Sequence, residues 1–128
     1  MAKKLFCSFV IVSMMLNVSP SLATPYGSYR AGNDRGWSTL NTDISTWTDG
    51  KEFHVGDSLL FVYNGTLTNV VQTSLRGYGS CDLSADNILF QDASGETTFT
   101  FTQPGEYYFT SSMFNDCSSN LRLIANVK

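Results

Sequence analysis

Residues 44–63 constrain the fold of this chain most. Within them large apolar side chains recur at every second position, Phe53 and Val55, then Leu59, Phe61 and Tyr63, with Gly56-Asp57 between the two sets. Side chains on an extended strand alternate between its two faces. The spacing therefore predicts two short strands around a turn, each with one apolar face. An amphipathic helix would need a period of 3.6 residues, and no window of about 11 residues shows one convincingly. The two-residue period recurs where Thr97, Phe99 and Phe101 alternate with Thr98, Thr100 and Thr102, and where Leu121, Leu123 and Ala125 alternate with Arg122, Ile124 and Asn126. Further strands are expected at residues 29–32, 86–90 and 107–110. Seven or eight strands in roughly 100 residues predict an all-β Greek-key sandwich with short helical turns. Trp37 and Trp47 are read as core. His54, the one histidine, alternates with Phe53 and Val55 and so is expected to point outward.

The first 23 residues have a different character. Lys3 and Lys4 precede an apolar run from Leu5 to Leu16, and Ser21-Leu22-Ala23 ends on small residues. This is the pattern of a secretory signal peptide, and the run is shorter than the roughly 20 residues that span a bilayer. Residues 24–128 are then the mature domain. Removing Lys3 and Lys4 leaves six basic residues against 11 acidic ones, a formal charge of −5. That balance disfavours nucleic acid and anionic lipid as partners. The last residues continue a strand pattern rather than an apolar tail, so no encoded membrane anchor is expected. The expected location is extracellular, as a freely secreted monomer.

Of the three cysteines, Cys7 falls in the leader, which leaves Cys81 and Cys117 as an even pair in an oxidising compartment. A bond between them closes a loop worth about 4 kcal/mol on the chain-entropy model. A metal or redox pair of free thiols lacks a neighbouring histidine or a Cys-x-x-Cys spacing. Asn64-Gly65-Thr66 is a glycosylation sequon in a turn. Asn17-Val18-Ser19 is a second sequon, inside the leader.

The sequence from Trp47 to Tyr63 meets every fixed position of Trp-x-x-Gly-Lys-x-Phe-x-Val-Gly-Asp-x-Leu-x-Phe-x-Tyr. Tyr108-Phe109, Cys117, and the run from Asn69-Val70 to Tyr78 and Cys81 add to the pattern. The chain resembles the phytocyanin family, plant cupredoxin-like domains, over residues 29–127. The resemblance implies a cupredoxin-like fold with one Cys81–Cys117 disulfide. It also implies that the four copper-ligand positions are occupied by Thr68, Ser111, Asp116 and Leu121. A blue-copper site needs two imidazoles, a thiolate and a weak axial donor. Two hydroxyls, a carboxylate and an alkyl chain do not supply them, so neither copper nor another cofactor is expected.

The pattern resembles the early nodulin-like branch, in which the domain persists without copper. No enzyme signature accompanies it: there is no Gly-x-Ser-x-Gly, no phosphate loop and no histidine placed for a triad. The expected function is a non-enzymatic extracellular binding module for a cell-wall glycan or a cell-surface protein. Met113 and Phe114 are the candidate contact residues, because they lie in the loop that would otherwise hold metal. The alternatives are that these two side chains fill the space left by copper, or that the domain transfers electrons as copper-bearing relatives do.

Overall fold

The computed structural model describes residues 25–128, so the expected leader, with Cys7 and Asn17, lies outside the described residues. Among the described residues, seven strands form two sheets. The first contains β1 (Ser28–Arg30), β2 (Ser58–Val62) and β5 (Glu96–Thr100) in the order β1-β2-β5. The second contains β3 (Val70–Thr73), β4 (Ile88–Asp92), β6 (Gly105–Thr110) and β7 (Arg122–Val127) in the order β4-β3-β6-β7. β1 and β2 run parallel and every other neighbouring pair is antiparallel. The architecture is a cupredoxin-like β-sandwich.

The alternation in the sequence sets which residues meet between the sheets. Leu59 and Phe61 of β2 pair with Phe99 and Thr97 of β5, and Phe61 crosses to Phe109 of β6 with ring centroids 5.2 Å apart. Trp37 packs edge-on against Phe61 at 5.0 Å. Phe99 meets Phe109 edge-on at 5.0 Å and continues to Phe101 and Tyr107. Edge-to-face aromatic pairs add roughly 0.5–1.5 kcal/mol beyond their area burial, so this column specifies the packing as well as driving it. Trp37 and Trp47 are both buried, as the sequence predicts.

Three local features have identifiable causes, the first two departing from the expected strands. Residues 53–55 do not form a strand: Phe53 is buried and makes a single parallel bridge to Val127, while Val55 is 39% exposed. The turn begins at His54, whose carbonyl accepts from Asp57 N at 2.9 Å. The buried Asp57 carboxylate holds that turn by accepting from His54 N at 2.8 Å and Gly27 N at 2.7 Å. The first strand starts one residue earlier than expected and stops at Arg30, and the chain then turns through Gly32 at φ 79°. The third is a short helix, α1 (Leu75–Ser80), capped by Ser74, whose Oγ accepts from Gly77 N. Six residues are too few to show a helical period, although the serine cap is a sequence signal for a helix start.

α1 ends at Cys81, which is bonded to Cys117 with Cα atoms 5.8 Å apart. The disulfide thus ties the helix to the loop between β6 and β7. Phe61 is fully buried between Trp37 and Phe109, so Phe61→Ala should lower stability by about 3–5 kcal/mol, read as a fall in the urea midpoint with little change in slope.

Candidate functional site

The end of the sandwich where β6 leads into the long loop 111–121 gathers the residues singled out in the sequence. Asp116 lies at the centre. Its Oδ2 accepts from Thr68 Oγ1 and from Ser111 Oγ, both at 2.6 Å, and all three side chains are buried. Leu121 joins through its backbone: its N donates to Asp116 O at 3.0 Å, and its carbonyl accepts from Thr110 Oγ1 at 2.8 Å. The Leu121 side chain is buried. Residues 68, 111, 116 and 121 thus come together from two separate segments of the chain.

Asn69, to which the sequence reading gave no role, clamps those segments. Its Oδ1 accepts from Ser112 N at 2.9 Å and its Nδ2 donates to Ser112 Oγ at 2.9 Å. Its backbone N donates to Ser111 Oγ at 3.3 Å, and its carbonyl accepts from the Trp37 indole N–H at 2.9 Å. One residue therefore fastens the loop to the segment that leads into β3, and both to the aromatic core. Its place beside Thr68 in the family pattern was the available signal. Behind the loop, Arg122 Nη1 donates to Tyr78 O and Nη2 to Asn120 Oδ1, with the guanidinium 5.3 Å from the Tyr78 ring centroid. Burial raises the Tyr78 phenol above its ordinary pKa, and the Arg122 charge pulls it the other way.

The cluster sits between two clefts. Thr68 and Asp116 line one of about 420 Å³, together with Asn64, Leu40 and Leu67. Ser111 lines another of about 370 Å³, with Leu83, Phe114 and the disulfide. A third cleft of about 410 Å³ lies beside Trp47 and Lys51. Asn41 there already donates to the carbonyls of Gly32 and Gly36, and the Trp47 N–H donates to Asn33.

The donor set does not fit copper. The Ser111 hydroxyl donates its proton to Asp116 and accepts from Asn69 N and Met113 N, which uses its bonding capacity. Thr68 donates to the same carboxylate, and Leu121 has no donor atom for a metal. Nothing here replaces two imidazoles and a soft thiolate. Among the described residues, no group of three or more His, Cys, Asp or Glu is placed to hold a metal ion. His54 is exposed on its turn with Nδ1 3.9 Å from Asp57 Oδ2, and takes no part in the cluster.

A family model described as a plastocyanin-like domain matches residues 37–121. Early nodulin-like protein 9 of Arabidopsis thaliana is 30% identical over 125 residues, covering 96% of this chain and 59% of that protein. The chain belongs to the phytocyanin family. A blue copper protein of Pisum sativum is 34% identical to this phytocyanin over 118 residues, covering 92% of it and 58% of the relative. The chain thus spans rather more than half the length of these relatives. Among solved structures, cucumber basic protein, a blue copper protein, superposes with a TM-score of 0.72 at 28% identity, over 80% of this chain and all of that one.

The loop of this phytocyanin is held in successive turns, with Asp116 N donating to Met113 O and Ser119 N to Asn115 O. Met113 is partly buried, whereas Phe114 is 79% exposed and has a left-handed backbone, φ 51°. Phe114 therefore does not fill the space at the cluster, which is closed instead by the carboxylate and two hydroxyls.

Asp116→Ala should cost about 3 kcal/mol, because two buried hydroxyls lose a charged acceptor. Asp116→Asn keeps an acceptor oxygen and should lose less; chemical denaturation of the two variants beside the parent measures the difference.

Proposed function

We propose that this phytocyanin domain is a copper-free extracellular interaction module that contacts a cell-surface protein or a cell-wall glycan through Phe114. The observation that carries the reading is the state of that side chain. A left-handed backbone at a bulky residue costs of order 1–3 kcal/mol, and an exposed phenylalanine gains no burial to offset it. The disulfide at Cys117 and the turns of the loop keep it there all the same. Aromatic side chains held on rigid loops supply large contact area with little entropy to lose on binding. The blocked donor set at Thr68, Ser111, Asp116 and Leu121 supports a role without electron transfer.

The decisive variant is Phe114→Gly. It relieves the left-handed strain, so the melting temperature should stay level or rise, while retention on immobilised cell-wall polysaccharide or on isolated cell-surface protein should fall. A lower melting temperature together with unchanged retention would assign Phe114 a packing role and overturn the proposal.

The copper reading has its own test. The parent protein should show no intense visible charge-transfer band on titration with Cu(II). The combination Thr68→His, Ser111→Cys, Asp116→His and Leu121→Gln should acquire one, because it restores two imidazoles, a thiolate and a weak axial donor on the same backbone. A blue band in the parent would restore electron transfer as the function.

A further inference from the structure

We infer that Asn64 carries an N-linked glycan whose inner sugars cover the apolar mouth of the cleft above Asp116. The inference rests on the extracellular reading above, since glycan transfer occurs in the secretory pathway. Asn64 is exposed in the turn after β2. Its Oδ1 accepts from Thr66 N at 3.0 Å and from Thr66 Oγ1 at 2.7 Å. Both bonds draw electron density toward the amide oxygen, which makes the nitrogen easier to deprotonate. Nδ2 donates to no group among the described residues, so it is free to react. In the transfer, a bond forms between Asn64 Nδ2 and C1 of the first sugar as C1 leaves the diphosphate of a lipid-linked oligosaccharide. The lipid diphosphate departs and the amide gives up one proton; no oxidant or reductant takes part.

The surroundings give this modification a purpose beyond solubility. Leu40 is 87% exposed and Leu67 59% exposed, and both line the cleft that Asn64 also lines. Leu67 is tied to Asn64 directly, its N donating to Asn64 O at 3.0 Å. Two large aliphatic side chains at one cleft mouth mark an association surface if left bare. The C–H faces of the inner sugars lie across them, and the bulk of the glycan keeps other proteins from that side. Phe114 lines the separate cleft beside the disulfide, so the covered surface and the contact surface are different.

The test is expression of the full chain in a plant or insect cell. The secreted protein should lose one glycan mass on treatment with peptide N-glycosidase. Asn64→Gln and Thr66→Ala should each abolish that mass step, and Thr66→Ser should retain it. After enzymatic deglycosylation of the folded protein, fluorescence of an apolar dye should rise, and the rise should vanish when Leu40→Ser and Leu67→Ser are combined. Protein in the medium with no sensitive mass, or with a mass step that persists in Asn64→Gln, overturns the glycan and leaves the extracellular reading standing. Retention of unmodified chain inside the cell overturns both. A glycan whose removal leaves dye fluorescence unchanged overturns the covering role.

Discussion

The aromatic column between the sheets is the constraint on which the rest of the molecule depends. Trp37, Phe61, Phe109 and Phe99 touch in sequence, joining the connection after β1 to strands of both layers. Its polar consequence lies at one end. The indole N–H of Trp37 has one partner, the carbonyl of Asn69, and Asn69 is the residue that fastens the long loop. A shift of Trp37 would therefore move that loop. Packing in the core and geometry at the cluster are one mechanical system.

At the cluster, a carboxylate and two hydroxyls form a compact closed set. Asp116 Oδ2 draws in Thr68 and Ser111 from two different segments, much as a central ion gathers its ligands. The bonds are short and charge-assisted, and hydrogen bonds of that kind are roughly twice as strong as neutral ones. Ser111 Oγ accepts two backbone N–H groups and gives its proton to Asp116, so its hydroxyl is fully engaged.

Much of this was legible in the sequence, where the physics is periodic. The alternation through Leu59, Phe61, Phe99, Leu123 and Ala125 sets which residues face the core, and the even cysteine pair sets the disulfide. The likeness to phytocyanins set which four positions converge. The failures are local and non-periodic. Val55 keeps the strand rhythm, yet the carboxylate of Asp57 turns the chain at His54 and carries Val55 outward. Nor could spacing show that Asp116 would be shared between Thr68 and Ser111, or that Asn69 would link both segments to Trp37. The bonds from Thr68 to Asp116 and from Trp37 to Asn69 join residues more than 30 positions apart, and only the assembled fold brings them within reach. The left-handed conformation of Phe114 was equally hidden, because sequence statistics place that conformation at Gly or Asn.

The closing strand has a directional consequence. β7 leaves the long loop at Arg122 and runs six residues to Val127, about 20 Å at strand rise. Lys128 is then fixed beside the 53–55 segment, its N donating to Phe53 O and its carbonyl accepting from Val55 N. Lys128 and the Phe114 loop therefore lie at opposite ends of β7 in the sandwich. A bead or matrix joined through Lys128 would hold the domain like a lamp on a bracket, with the Phe114 loop at the end away from the attachment.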